Sequence, residues 1–358
     1  MKLSYYDKFK CIANECEITC CQEWKISVDE ETKKKWNEQQ LGCNICKKDG
    51  DNVIKLNEEK RCPFLTKDEL CGIVIDKGVD MIPHTCDVFP RQIHEFENRT
   101  EYALVSCCPE VIRLLDSEKI EEVIKPLFEE EYDEMYSIRN MVINIIAEAK
   151  DSTLGLLKAF YILLDIRDES KVPDYNKEFL SDLDEALEKI ERNERDTFTE
   201  RNELFLDIVY NYRKQGIYSK FLDDISLVAD DISENYSEEL LSEYEEFQRN
   251  MFEYDKLFKK YLISELFADG ILSDSDLYEF TIMLQWIAME YVLIRHAIFL
   301  NKKILNRKVS FTDISQYMVI ISRIMGYSQE DIHEYMEECF MNPMWDFGYM
   351  ALIVGKGR

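Results

Sequence analysis

Apolar residues recur at helical spacing through most of the chain beyond about residue 110. Residues three and four positions apart lie on one face of an α-helix, so this spacing predicts amphipathic helices that pack into a common core. The pattern is clearest in six stretches: 117–150, 152–166, 178–190, 202–215, 237–267 and 310–340. This part of the chain is therefore predicted to be α-helical.

Helix boundaries are indicated by residues that interrupt or begin these stretches. Pro173, Gly216 and Gly270 separate neighbouring segments, because proline and glycine disfavour helix interiors. A serine oxygen can accept a hydrogen bond from the free amides at the start of a helix. Three serines stand at predicted helix starts: Ser152, Ser310 and Ser328.

The longest apolar segment is FTIMLQWIAMEYVLIRHAIFL at 280–300. Gln285, Glu290, Arg295 and His296 interrupt it, and charged groups are costly inside a bilayer. We therefore predict a buried helix of a globular protein and no association with a membrane.

The first 115 residues show a different pattern. Apart from one predicted helix at 29–39 (DEETKKKWNEQ), they are short apolar pieces between cysteines and turn residues. Such a segment has little periodic core of its own, so a bound metal is expected to supply much of its folding free energy. The predicted fold is mainly α: a Cys-rich, irregular metal-binding region at 1–115, followed by a multi-helix domain at 116–358.

The charge balance makes a nucleic-acid partner improbable. Forty-four Lys and Arg residues against 72 Asp and Glu residues give a net charge of −28, which offers little to a phosphate backbone. An acidic surface suits a protein substrate that presents lysines, and it is equally common on cytoplasmic proteins. The N-terminal residues MKLSYYDKFKCIANE lack the apolar core of a signal peptide, so a cytoplasmic location is expected.

The cysteines are concentrated at one end of the chain. Eleven of the twelve lie between Cys11 and Cys108, and Cys339 stands alone in a helical stretch. A reducing cytoplasm disfavours structural disulfides, so dense clustering favours metal ligation or catalysis. Cys339 is more simply a small buried side chain.

The spacing of the cysteines leaves the metal open. Thiolates suit zinc and iron–sulfur clusters alike, and only Cys43 and Cys46 form a plain C-x-x-C pair. Irregular spacing drawn from several loops is more typical of a cluster than of a zinc finger. The bacterial ferredoxin run is absent, and so is the C-x3-C-x2-C spacing of radical S-adenosylmethionine enzymes.

Four blocks of sequence carry a resemblance to a known family. In chain order they are FKCIANECEITCCQEWKISVD at 9–29, CPFLTKDELCGIV at 62–74, HTCDVFPRQ at 84–92 and VSCCPEVIRLL at 105–115. Together they resemble the flagellin lysine-N-methylase (FliB) family. The first three also resemble a wider group of proteins with a zinc- or iron-chelating cysteine cluster.

This resemblance implies transfer of methyl groups from S-adenosylmethionine to surface lysines of flagellin, and an iron–sulfur (4Fe-4S) cluster in the Cys-rich region. The family's cysteines correspond to eight residues here: Cys11, Cys16, Cys20, Cys21, Cys62, Cys71, Cys86 and Cys108. One four-iron cluster needs only four of them. Cys43, Cys46 and Cys107 lie outside the pattern.

The location of the methyl donor is not indicated by any common motif. No G-x-G-x-x-G follows a strand and glycines are sparse, so a Rossmann-type domain is not predicted. The cluster either orients S-adenosylmethionine or has a structural role, and we favour the structural role because direct methyl transfer needs no electron. Arg91 is a candidate for pairing with a cofactor carboxylate, or simply with one of many acids. Trp24 could line a cofactor pocket or pack in the core.

Candidate catalytic groups are numerous, and each has a structural alternative. Glu110 could orient a lysine, or cap the helix that begins after Pro109. Asp346 and Tyr349 belong to an acid-plus-aromatic set in NPMWDFGYMALIV, which is equally explained as a closing helix on the core. His84 is an alternative metal ligand because it lies two residues before Cys86.

Two main functions follow. The first is a lysine methyltransferase acting on flagellin. The second is a non-catalytic module in which zinc or a cluster folds the N-terminal region and the helices bind a partner; an electron-transfer protein is a weaker third. Oligomeric state is not indicated by the sequence.

Overall fold

The computed structural model describes residues 1–130, 132–169, 172–173, 175–190, 194–326, 329–339 and 347–355. It is mainly helical, as predicted. The helices are α1 (Glu30–Glu38), α2 (Gly72–Lys77), α3 (His84–Val88), α4 (Pro109–Ser117), α5 (Ile120–Ile124), α6 (Glu134–Glu148), α7 (Ser152–Glu169), α8 (Lys177–Glu188), α9 (Glu194–Gln215), α10 (Ser219–Glu234), α11 (Glu238–Met251), α12 (Asp255–Asp269), α13 (Leu277–Leu305), α14 (Phe311–Met325), α15 (Gln329–Cys339) and α16 (Phe347–Val354).

Two antiparallel hairpins lie in the N-terminal region. The first pairs β1 (Ile45–Lys48) with β2 (Asp51–Ile54). The second pairs β3 (Arg91–Glu95) with β4 (Thr100–Leu104), with Arg91 opposite Leu104. Both hairpins are too short for their alternation to stand out in the sequence.

The interior is divided into two hydrophobic cores. The large core is formed by the helices from α4 onward, with α13 at its centre, and it also takes in Leu3, Tyr5 and Phe9 from the N-terminus. The small core lies within residues 26–73 and includes the fully buried Trp36. The Cys-rich region thus has a modest core of its own, and the predicted domain boundary at residue 115 stays a prediction.

The β3–β4 hairpin is joined to the helices by a buried ion pair. Arg139 on α6 donates to both carboxylate oxygens of Glu101 on β4, at 2.7 and 2.8 Å, and both residues are fully buried. Such a pair is costly to break because a lone charge would remain in the core. The hairpin is therefore held at a fixed place against the helical domain.

The predicted helix starts are largely confirmed. Ser310 caps α14 with a complete capping box to Asp313, and Ser152 is the first residue of α7. The predicted helix at 29–39 is α1, capped by Asp29. Ser328 lies outside the described residues.

The apolar segment at 280–300 is the centre of α13. By length and composition this helix could cross a membrane, but 94% of its most apolar window is buried inside the protein. It is the core helix that the sequence predicts.

Candidate functional site

Seven of the eight predicted metal ligands line one cavity of about 270 Å³. We call it the cysteine cavity; its thiols belong to Cys11, Cys16, Cys20, Cys21, Cys71, Cys86 and Cys108. These residues come from four separate segments of the chain. All are free thiols in the structure.

Local structure explains how distant cysteines meet. The 11–21 loop forms one wall. Cys71 immediately precedes α2, and Cys86 lies within the short helix α3. Strand β4 leads directly to Cys108, which is the N-cap residue of α4. Three of the four segments therefore present a cysteine at or near the start of a helix, where amide dipoles favour negative charge.

Cys62, the eighth predicted ligand, lies beside the cavity without lining it. It is buried in the small core, and its amide donates to the carbonyl oxygen of Cys21 at 2.7 Å. Cys21 and Cys71 both act electrostatically on its thiol.

Burial keeps most of these thiols protonated. It raises the pKa of Cys62 to about 12 and the pKa of Cys108 to about 11, and it also raises the pKa of Cys86. The Cys20 thiol hydrogen-bonds to Cys21, which lowers the pKa of Cys21 and raises that of Cys20. Binding of a metal would therefore release protons.

Arg91 contributes a cation to the cavity. It is the first residue of β3, and its guanidinium lies over the rings of Phe9 and Tyr6, at 5.0 and 5.9 Å from their centroids. It lines the cavity with Cys108. A positive group there favours an anionic occupant.

Arg323 is a second cation in the cavity, and the sequence analysis missed it. It lies on α14 and is only 6% exposed. Its guanidinium donates to the carbonyl oxygens of Cys107 (3.0 Å), Thr19 (3.2 Å) and Ile18 (2.9 Å). Arg323 thereby joins the helical domain to two of the cysteine-bearing segments. The available signal was a single arginine within the apolar run VIISRIM.

Trp24 lies behind the cavity wall and not in it. Its ring packs edge-on against Phe89 at 5.8 Å, and the guanidinium of Arg323 lies 5.1 Å from its centroid. Both contacts are residues of the cavity lining. Trp24 therefore supports the wall by packing.

Glu110 lines the cavity, but its carboxylate is already paired. It is 4% exposed and accepts two hydrogen bonds from Arg113 on the same helix, at 2.6 and 2.5 Å. Helix α4 begins at Pro109 itself, with Cys108 as its N-cap residue. Glu110 therefore lies in the first turn of α4, where a negative charge suits the helix dipole, but it is not the cap residue.

The other candidates are not part of the cysteine cavity. Tyr349 is on α16 and burial raises its pKa to about 12, while Asp346 lies outside the described residues. The backbone amide of His84 donates to the Asp29 carboxylate at 2.9 Å. His84 does not line the cavity, and neither do Cys43, Cys46 and Cys107.

The arrangement of donors bears on the kind of metal. In the described part of the chain, no three Cys, His, Asp or Glu side chains lie close enough together to hold a single metal ion. A tetrahedral zinc site needs four donor atoms about 2.0–2.3 Å from one ion. A cuboidal cluster takes its thiolates from farther apart than a single zinc ion does.

Comparison with known proteins identifies the class. A family model described as the FliB lysine N-methylase C-terminal domain matches residues 97–353. The flagellar biosynthetic protein FliU of Salmonella muenchen is 31% identical over 128 residues, covering 30% of this chain and 71% of that protein. No solved structure gives a significant match.

Two proteins described as lysine-N-methylases are also similar. Those of Salmonella typhimurium and Salmonella choleraesuis are each 29% identical over 120 residues, which covers 30% of this chain and 30% of each relative. The alignments thus span less than a third of these enzymes. The chain belongs to the FliB lysine N-methylase family, as the four sequence blocks predict.

Proposed function

We propose that this protein is a cytoplasmic lysine N-methyltransferase that transfers methyl groups from S-adenosylmethionine to surface lysines of flagellin. We further propose that the cysteine cavity holds an iron–sulfur (4Fe-4S) cluster. The observation that carries the proposal is the convergence of seven cysteines from four chain segments on one cavity with two cations.

Family membership supports the reaction type, because relatives are described as lysine-N-methylases. The description of one relative as a flagellar biosynthetic protein supports a flagellar substrate. The net charge of −28 is suited to recruiting a surface rich in lysine.

The chemistry sets limits on the site. A lysine ammonium must first lose a proton, because only the neutral amine has a lone pair. The amine nitrogen then attacks the methyl carbon, the carbon–sulfur bond breaks, and S-adenosylhomocysteine leaves with the electron pair. No electron transfer is needed, so we assign the cluster a structural role, holding the 11–21 loop, α2, α3 and the start of α4 together.

Protein purified without oxygen, flagellin and S-adenosylmethionine test this proposal. Intact-mass spectrometry should show flagellin gaining the mass of one or more methyl groups, with the modified lysines located by peptide mapping. Omitting S-adenosylmethionine should abolish the gain. An unchanged flagellin mass would contradict the methyltransferase proposal. The non-catalytic binding module would then be the remaining candidate function.

Matched cysteine variants tie the activity to the cavity. Cys71→Ser with Cys86→Ser removes two lining thiols and should lower the methylation rate at least tenfold. Cys43→Ser with Cys46→Ser, outside the lining, should leave the rate within twofold of wild type. Equal methylation rates for the two double variants would show that the activity does not depend on the cysteine cavity.

A further inference from the structure

A second cavity of about 360 Å³ lies within the helical domain. It shares no lining residue with the cysteine cavity. The N-termini of α7 and α12, the middle of α13 and the end of α16 surround it; we call it the polar cavity. Its size is in the range of small-molecule pockets, about 300–1,000 Å³.

Arg201, Arg295 and Asp255 line the polar cavity without pairing with each other. Arg201 is 4% exposed and Asp255 is 8% exposed, and Arg295 is partly buried. Within the described residues, neither arginine forms an ion pair with any carboxylate. Opposite charges in a weakly solvated space attract strongly, so groups that stay apart must be held by other partners.

Neutral partners hold these charges in place. Asp255 accepts from the amide and hydroxyl of Ser152, at 2.9 and 2.6 Å. Arg295 donates to Tyr291 at 2.8 Å and to Gln248. The hydroxyls of Ser152 and Tyr291 are 2.9 Å apart. Asp255 and Arg295 are thus joined by three successive hydrogen bonds, which limits the distance between them.

A zwitterionic ligand would place an opposite charge at each end of this hydrogen-bonded series. The ammonium and carboxylate of an α-amino acid are about one hydrogen-bond length apart, so with one bond from each to the protein the ligand can reach across about three hydrogen-bond lengths, the largest separation that the bonded series allows. The ammonium would face Asp255 and the carboxylate would face Arg295. Both charges would then be neutralised, which their neutral partners do not achieve.

The rest of the lining suits the remainder of such a ligand. Val292 and Val354 provide apolar surface, and Phe252, which is 65% exposed, lies at the rim. The exposed rim would let a substrate lysine approach from solvent.

We infer that the polar cavity binds a small ligand with an α-amino-acid head. The identification of this ligand as S-adenosylmethionine rests on the proposed function. The methyl donor is then bound by the helical domain and away from the cysteine cavity, with Arg295 and Asp255 as binding residues.

Calorimetry on the full chain can test this with two probes. S-adenosylhomocysteine carries the amino-acid head, and 5′-methylthioadenosine lacks it. Wild type should bind S-adenosylhomocysteine at least tenfold more tightly. This comparison needs no variant, so it holds even if a substitution disturbs folding. Equal affinities, or no binding of either probe, would overturn the inference.

Variants then locate the site. Arg295→Gln and Asp255→Asn should each weaken S-adenosylhomocysteine binding about ten- to hundredfold and leave 5′-methylthioadenosine binding unchanged. Lys189→Gln, which removes an exposed cation on the surface, should have no effect. If Arg91→Gln weakens binding and Arg295→Gln does not, the ligand is in the cysteine cavity and the inference fails.

The two proposals can fail separately. Methylation of flagellin by wild type, with Arg295→Gln binding normally, would keep the proposed function and overturn this site. Binding that depends on Arg295, with no methylation of any lysine substrate, would keep the site and overturn the proposed function.

Discussion

Arg323 shows how one side chain can join two parts of the molecule. Its three hydrogen bonds to backbone carbonyls all end in the Cys-rich region, and its ring contact is to Trp24. A buried guanidinium with several acceptors is stable in place, but its loss leaves those carbonyls without donors. The cysteine cavity therefore depends on a residue of the helical domain.

Arg323→Gln should destabilise the protein by about 2–4 kcal/mol, because a buried charge network loses its donor. It should also lower the iron bound per chain, since the 11–21 loop and Cys107 are no longer held together. Urea denaturation and iron analysis measure the two effects. Arg249→Gln, on an exposed pair with Glu245, is the control. Unchanged iron content in Arg323→Gln would refute a role at the cavity.

A second set of residues gives the protein a pH-dependent stability. Burial raises the pKa of Asp269 to about 7 and also raises the pKa of Glu290 and Glu265. Asp269 accepts one hydrogen bond from Gln92 at 3.2 Å, while its other oxygen is buried without a partner in the described structure. Burial thus favours the neutral form of these acids.

Asp269→Asn should therefore stabilise the protein more at pH 8 than at pH 5. An ordinary Asp has a pKa of about 3.9, so between that value and about 7 the folded state keeps a proton that the unfolded state has lost. Wild-type stability falls as pH rises through this window, and the asparagine variant avoids this loss. The gain at pH 8 should exceed the gain at pH 5 by about 2–3 kcal/mol, because about two pKa units of the window lie above pH 5. Parallel stability curves for the two proteins would contradict this.

At the residue scale, the sequence identified the cysteines far better than their neighbours. Clustered cysteines are visible in a sequence because the residue type itself signals the chemistry. Arg323 is more than 200 positions from the cysteines, and Arg295 looked like an interruption of an apolar helix. Their roles depend on which helices meet, which only the fold determines.

At the scale of elements, the helix starts follow from local chemistry. Ser310 and Asp313 form a reciprocal capping box at the start of α14, and Arg307 donates to the same Asp313 at 2.7 Å. This fixes where α14 begins, and so where Arg323 lies along it. Such signals are short-range and can be predicted from sequence.

Ser310→Ala should cost about 1 kcal/mol of stability, the usual value for losing an N-cap. The α14 amide at Asp313 loses its acceptor, and the box can no longer close. Chemical denaturation measures the change. Ser181→Ala, at an exposed position within α8, should change stability by less than about 0.5 kcal/mol. A loss at Ser310 no larger than at Ser181 would rule out the cap as a significant contribution.

The short strands could not be predicted from the sequence. Strand β3 has only five residues. Its partner strand β4 is held against the helices by the ion pair between Glu101 and Arg139. Long-range contacts of this kind leave no periodic signal in either segment. Helical periodicity was sufficient for most helices from α6 to α14, because each buries a stripe against its neighbours, but α10 lies outside the six predicted stretches.

At the scale of the whole molecule, two cores of unequal size imply two levels of stability. The large core includes residues from the beginning and the end of the Cys-rich region. Residues 26–73 are stabilised by the small core and by the cysteines nearby. A bound cluster should hold this small part in place. The helical domain has enough buried apolar surface to remain folded without it.

Removal of the proposed cluster by a chelator should therefore unfold part of the chain and not all of it. Hydrogen exchange should become fast in residues 20–90 and remain slow in α12, α13 and α14. The far-ultraviolet circular dichroism should keep most of its helical signal. Uniform loss of protection would show that the metal stabilises the whole protein as one unit.

The most direct test of the cysteine cavity is the iron, acid-labile sulfide and zinc content of protein purified without oxygen, read with its visible spectrum. A bound cluster predicts about four irons and four sulfides per chain with the absorption of an iron–sulfur centre, and little zinc. Zinc alone, without iron or sulfide in fresh protein, would contradict the cluster and favour a zinc-folded binding module.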